Sequence, residues 1–219
     1  MQEALKKIEK AKAYNIGEAI SCLKEVPAAK FDESVDLAIT LNIDPKKTDQ
    51  MVRGTVVLPH GTGKKKRVLV FCKGEVEAQA KEAGADYVGA LDLIDKVSKG
   101  FMDFDCVVAT PDMMKDVSRL GKVLGPRGLM PSPKTETVTN NVATVVKELK
   151  AGKVEFRSNK QGHMRITIGK ASFPKESLEQ NFNVFLDALN QTRASSVKGQ
   201  FIKSFYISTT MGPGIKLKV

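Results

Sequence analysis

Two kinds of β-strand are written into this chain, and their order limits the folds open to it. Residues 31–43 alternate: Val35, Leu37, Ile39 and Leu41 point one way, and Ser34, Asp36, Ala38 and Thr40 the other. A period of two marks a strand with one buried and one wet face. Asp44-Pro45 ends it, and residues 52–58 read as a second strand. Further on the grammar changes. Val68-Leu69-Val70-Phe71-Cys72 and residues 105–109 are unbroken apolar runs, as in strands covered on both faces. Tyr87-Val88 is a short strand candidate. Helical stretches separate the runs: Val76, Ala80 and Ala83 share one face, and Val142, Val145, Val146 and Leu149 another. Thr110-Pro111 reads as a helix start, with Thr as cap and Pro in the first turn. Strand alternating with helix implies parallel βαβ units.

After Gly152 the first grammar returns. Residues 154–157 and 164–168 flank Asn159-Lys160-Gln161-Gly162 and read as a hairpin. Ser172-Phe173-Pro174 opens a helix with Leu178, Phe182, Phe185, Leu186 and Leu189 in one stripe, and residues 202–210 form a last strand. An N-terminal helix carries Ile16, Ala19, Ile20 and Leu23, and Pro27 stops it. Like pieces flanking an unlike block predict an α/β chain of two domains. Residues 1–62 and 153–219 form a discontinuous α+β domain with an antiparallel sheet and helices. Residues 63–152 form an inserted Rossmann-like α/β domain with a parallel sheet. Pro59-His60-Gly61-Thr62-Gly63 and Lys64-Lys65-Lys66-Arg67 make the hinge candidate.

Charge narrows the function. Lys and Arg number 35 against 25 Asp and Glu, a net +10. An excess of this size points to a polyanionic partner. Residues 64–152 hold 15 basic and 12 acidic side chains, net +3; the remainder holds 20 and 13, net +7. The split domain is therefore the better candidate for an RNA surface. No apolar stretch approaches the roughly 20 residues a membrane span needs, so no membrane partner is expected. The first residues lack the apolar core of a secretory signal. Cys22, Cys72 and Cys106 are scattered and read as reduced, mostly buried small hydrophobes of a cytosolic protein. His60 and His163 stand alone, without metal-ligand spacing, so neither a metal nor a cofactor is expected. Gly61-Thr62-Gly63-Lys64 fails the spacing of a phosphate loop and lacks the Ser or Thr that would hold magnesium. No nucleophile elbow or carboxylate pair is present, and the chain is not read as an enzyme.

The candidate contact residues follow from pattern. On the last strand Ser204, Tyr206, Ser208 and Thr210 form a hydroxyl row opposite Phe205 and Ile207. Such a row suits ribose 2′-OH and phosphate, and equally an ordinary solvent face. Met211 in the turn with Gly212 packs on a base or plugs the core. Alternation places Phe31 with Val35 and Leu37, which favours burial. Lys122 and Arg127 ride on a Gly- and Pro-rich loop, residues 120–133, read as a rigid irregular connector.

Several separate motifs, in order, resemble the large-subunit ribosomal protein L-one family, bacterial type, over nearly the whole chain. They are Lys30-Phe31-Asp32-Glu33-Ser34-Val35, Asn42-Ile43-Asp44-Pro45, Val52-Arg53-Gly54-Thr55-Val56-Val57-Leu58-Pro59-His60-Gly61, Leu124-Gly125-Pro126-Arg127-Gly128-Leu129-Met130-Pro131 and Thr209-Thr210-Met211-Gly212-Pro213. The resemblance implies a protein of the mobile stalk beside the tRNA exit site, a monomer when free of the ribosome. It implies three partners: large-subunit rRNA, exit-site tRNA whose release it assists, and its own mRNA, which it represses. It implies RNA contacts at Lys30, Phe31, Ser34, Ser204, Thr210, Met211 and Gly212, with Glu33, Asp36 and Arg53 nearby. Asn159 stands where relatives often have Asp, and Ser34 where many have Thr. The family's short basic segment before the first helix is missing, so the sequence starts late or that contact is dispensable. Lys64, Lys65, Lys122 and Arg127 are expected as secondary contacts. Two other readings are a nucleotide-binding α/β enzyme and a basic adaptor for acidic proteins.

Overall fold

The computed structural model describes residues 12–25, 29–44, 50–193 and 199–218. In chain order the elements begin α1 (Ile16–Glu25), β1 (Ser34–Leu41), β2 (Arg53–Val57), β3 (Val68–Phe71), α2 (Glu75–Glu82), β4 (Tyr87–Gly89), α3 (Leu91–Ser98) and β5 (Cys106–Ala109). There follow the short turns α4 (Met114–Val117) and α5 (Gly121–Leu124), then α6 (Val142–Ala151), β6 (Lys153–Arg157), β7 (His163–Lys170), α7 (Lys175–Gln191), β8 (Ile202–Thr209) and β9 (Ile215–Lys216). The chain is mixed α/β and forms two compact units. One is Met1–Gly63 with Val154–Val219, the other Lys64–Lys153.

In the first unit β7, β1, β8 and β9 form an antiparallel sheet in that order, with β1 inside. Alternation along β1 sends Val35, Leu37, Ile39 and Leu41 into the core, where they meet Met164, Ile166 and Ile168 of β7 and Phe205 and Ile207 of β8. Among the described residues, α1 and α7 complete that core. Ala19, Ile20 and Leu23 come from α1, and Leu178, Phe182, Phe185 and Leu189 from α7. Phe185 and Phe205 are fully buried, and truncating such a ring costs about 3–5 kcal/mol. A separate two-stranded sheet pairs β2 with β6. It joins the core through Phe156, whose ring stands edge-on to Phe185 at 5.6 Å. Gly54 is fixed by this packing, since a Cβ there would lie 2.7 Å from the Phe156 ring.

The hairpin expected around Asn159 is not formed. Asn159 N–H does bond to the His163 carbonyl at 2.8 Å. The flanking strands then diverge: β6 goes to β2 and β7 to β1. Sequence periodicity reports which face a strand buries and is silent on which strand it pairs with. Asn181 interrupts the apolar stripe of α7 and is fully buried. It accepts from His60 N–H at 3.1 Å and donates to the carbonyls of Gly61 at 3.0 Å and Ile168 at 2.8 Å. One amide thus satisfies the buried backbone of the segment leaving this unit.

In the second unit β4, β3 and β5 form a parallel sheet with β3 in the centre. Its continuous apolar runs divide by parity. Leu69, Phe71, Val107 and Ala109 pack with Leu93, Ile94, Val97, Met113 and Val117. Val68, Val70, Cys72 and Val108 pack on the opposite side with Ala80, Val142, Val145, Val146 and Leu149. Burial pushes the Cys72 thiol up to about 11, so it stays protonated and inert at neutral pH. Thr110 precedes a 3-10 turn with Pro111 in its first turn, but its hydroxyl makes no capping bond, contrary to the expected cap. Residues 120–133 are also less irregular than expected: α5 occupies part of them, and Leu120 and Leu124 are buried. Apolar side chains at i and i+4 outvoted the glycines there.

Lys153 is buried and paired to Glu136 at 2.5 Å and Glu148 at 2.9 Å. Burial alone would lower its pKa; the hydrogen bonds to Glu136 and Glu148 outweigh that and raise it. Among the described residues, no helix is long and apolar enough to cross a membrane, and no cluster of His, Cys, Asp and Glu could hold a metal ion.

Candidate nucleic-acid interface

The face of the four-stranded sheet opposite the core is built of polar rows. Register sets Asp36 between Ser208 and Thr167, Ala38 between Tyr206 and Arg165, and Thr40 between Ser204 and His163. The hydroxyl row of β8 thus lies beside β1, as alternation requires, with Phe205 and Ile207 buried behind it. Asp36 is itself buried. Its carboxylate accepts from Arg165 Nη2 at 2.6 Å and from the Thr167 hydroxyl at 2.5 Å.

At one end of this face two chain segments are stitched together. Ser34 N–H donates to Thr210 Oγ1 at 3.0 Å. Phe31, three residues before Ser34, and Met211, one residue after Thr210, are each 57% exposed. Phe31 escapes burial because the strand begins only at Ser34, so alternation does not reach it. Lys30 is exposed beside it. Gly212 closes the turn by donating to the Thr209 carbonyl at 3.3 Å. A Cβ at Gly212 would lie 2.2 Å from the Thr209 hydroxyl, so no larger residue fits there without moving that group. Glu33 and Thr209 are both buried, and Glu33 Oε1 and Thr209 Oγ1 have no hydrogen-bond partner. Unpaired buried oxygens are costly and rare. These two lie at the strand end where Phe31 and Met211 protrude.

The remaining expected residues are distributed differently. Ser204 is half-buried opposite Thr40, at the far end of the face. Six residues of strand separate it from the Ser34 level, roughly 20 Å. Asn159 lies at that same end, where its Oδ1 accepts from the N–H groups of Gln161 and His163 at 2.9 and 2.8 Å. Arg53 belongs to the two-stranded sheet and is paired to Glu155 at 2.9 Å. Lys64, Lys65, Lys122 and Arg127 are exposed in the second unit. The structure therefore gathers Lys30, Phe31, Glu33, Ser34, Thr210, Met211 and Gly212 at one strand end. Asp36 sits mid-face, Ser204 and Asn159 lie at the other end, and Arg53 stands on another sheet.

Sequence reasoning passed over His163, Arg165 and Thr167, which share the polar face. A signal was present: polar residues at 163, 165 and 167 alternate with Met164, Ile166 and Ile168.

The ribosomal protein L1p/L10e family matches residues 23–213. The large ribosomal subunit protein uL1 of Thermosipho melanesiensis is 55% identical over 216 residues, covering 98% of this chain and 93% of that one.

Proposed function

The chain belongs to the ribosomal protein L1p/L10e family, and from that premise we propose that the strand end bearing Phe31 and Met211 is its specificity contact with large-subunit rRNA. A structural constituent of the cytoplasmic ribosome that binds rRNA is what this family membership makes the chain. Beyond that, we assign it to the mobile stalk beside the tRNA exit site, where it assists release of deacylated tRNA. We also assign it repression of its own mRNA through a similar RNA fold.

The observation that carries the site is the pair of equally exposed apolar side chains beside the Ser34–Thr210 bond. An exposed ring and a thioether on a rigid strand end make a stacking platform for an unpaired base or a sugar. Lys30 adds a phosphate contact that positions without reading sequence.

The test is binding of Phe31→Ala and Met211→Ala to a large-subunit rRNA fragment and to a scrambled RNA at fixed salt, with thermal melts alongside. Losing one stacking contact costs about 1–3 kcal/mol, roughly five- to 150-fold, on the cognate RNA. Both side chains are exposed, so the melts should not move. Equal losses on both RNAs would place specificity elsewhere. The mRNA leader, added as competitor, should displace the rRNA fragment from the parent and lose that ability against neither variant alone; failure to compete would remove the repressor assignment.

A further inference from the structure

The parallel sheet of the inserted unit ends at β4, which pairs with β3 on one side and with no other strand among the described residues. Register sets Val88 beside Val70 and Gly89 beside Phe71. Gly89 turns its carbonyl toward β3, where it accepts from Cys72 N–H at 3.2 Å. The backbone groups of successive strand residues face opposite edges, so the N–H and C=O of Val88 face outward. An unpaired donor and acceptor on a sheet edge are a template for another extended chain.

A cavity of about 390 Å³ lies against this edge, lined by Lys81, Asp86, Tyr87, Val88, Lys96 and Phe101, among others. Its two lysines come from opposite layers. Lys81 belongs to α2, whose Ala80 packs with Val68 and Val70 on one side of the sheet. Lys96 belongs to α3, whose Leu93 and Val97 pack with Leu69 and Phe71 on the other. Both lysines are exposed, and neither pairs with a carboxylate among the described residues. Asp86 does not oppose an incoming anion with a free charge: it accepts from Val68 N–H at 2.9 Å and pairs with Lys150 at 3.3 Å. The apolar floor is held in place. The Tyr87 and Phe101 rings meet edge-on at 5.1 Å, and the Tyr87 hydroxyl donates to Asp103 at 3.4 Å.

We propose that this edge takes an extended acidic peptide of a partner protein as an added strand on β4, with Lys81 and Lys96 holding two consecutive acidic side chains. Side chains of a strand point alternately to the two faces of its sheet, and lysines in opposite layers call for that alternation. Main-chain bonds to Val88 supply affinity, and the lysines select the partner. An RNA strand fits this edge less well. Its backbone has no alternating donors and acceptors to pair with Val88, and the two rings pack on each other instead of splaying apart to take a base. The site lies wholly in the inserted unit and does not depend on the RNA-binding reading of the split unit.

The experiment uses the full chain and a synthetic peptide of about eight residues, Val and Thr with two neighbouring Glu at the centre. Binding is read by fluorescence anisotropy and amide exchange by NMR. The Val88 amide should exchange more slowly with peptide bound, because it gains a partner. Methylating alternate backbone nitrogens of the peptide should abolish binding in one phase and spare it in the other, since only one set of its amides faces β4. Lys81→Gln with Lys96→Gln should weaken binding about two- to thirty-fold, as for two exposed ion pairs. Lys81→Glu with Lys96→Glu should instead prefer a peptide with Lys in place of Glu. Both side chains are exposed, so thermal melts should not move. No binding of the acidic peptide would leave the lysines as guards of a bare edge and overturn the proposal. Binding that leaves Val88 exchange unchanged, or that ignores the phase of methylation, would reduce it to charge attraction and overturn strand addition. Displacement of the peptide by scrambled RNA, with the same dependence on both lysines, would make the edge a nucleic-acid contact and overturn it as well.

Discussion

The two sheets treat their faces in opposite ways. The parallel sheet of the inserted unit is packed on both sides, so every side chain of β3 is buried. The antiparallel sheet buries one face and leaves Ser204, Tyr206, Arg165 and His163 on the other. A doubly covered sheet offers a partner only its edges, loops and strand ends. A singly covered one offers a flat array at strand spacing, which suits a partner with a regular backbone. Charge falls the same way, with net +7 outside residues 64–152 and +3 within them. The inserted unit is a self-contained body; the split unit carries the uncovered face.

The largest effect should come from separating them. A chain joining residues 12–63 to 154–219 through a short Gly linker should keep most of the specific rRNA affinity. Residues 64–153 alone should bind at least about 10³-fold more weakly, at the level of non-specific attraction. The cut belongs after Lys153, because that lysine is held by Glu136 and Glu148 of the inserted unit. Competition filter binding checks this. Equal affinity of the inserted piece and the whole chain would reverse the division of labour.

A smaller effect sharpens the comparison at the core of the split unit. Asn181→Leu leaves His60 N–H and the carbonyls of Gly61 and Ile168 without their partner. Unpaired buried groups cost about 1–3 kcal/mol each, and some relax to water, so a loss near 3 kcal/mol is expected. Denaturant unfolding should show it in the split unit only. Hydrogen exchange should show faster opening at His60 first. An unchanged midpoint would mean that the 59–63 segment finds other partners.

Much of this architecture was legible because it rests on periodicity. Val35, Leu37, Ile39 and Leu41 announce a half-buried strand, and Val68 to Cys72 a fully buried one, since burial geometry is what the pattern records. Strand pairing was not legible. Residues 154–157 and 163–170 look like hairpin arms, yet the partner of β6 is β2, about a hundred residues earlier, and no local signal encodes that. The strand end of the candidate site was found through family motifs more than through chemistry; alternation alone would have buried Phe31. Asn181 stayed hidden because a lone polar residue in an apolar stripe has no periodic signature. The tie between Asp36 and Arg165 was equally hidden, for it depends on cross-strand register.

The smallest effect concerns Lys153, a lysine of the inserted unit that is buried and paired to two carboxylates. Lys153 is nearly inaccessible, but Glu136 and Glu148 are 66% and 37% exposed. Replacing the lysine by Met keeps the apolar stem and removes the buried charge, while water takes over the two carboxylates. Pairs of this kind gain little net stability over an apolar replacement, so Lys153→Met should change stability by about 0–1 kcal/mol at pH 7. Its pH dependence is more telling. The folded pKa of Lys153 is raised by its carboxylate partners against the pull of burial. A raised lysine contributes stability that is fully present below its unfolded value, about 10.4, and is lost as pH rises through the folded one. The parent should therefore lose stability in the inserted unit above that pH faster than Lys153→Met does, once the titrations common to both are subtracted. Thermal melts from pH 7 to 12 measure the difference. Parallel curves, or a loss above about 3 kcal/mol at pH 7 as for a broken buried pair, would show that Glu136 and Glu148 depend on the lysine more than their exposure implies.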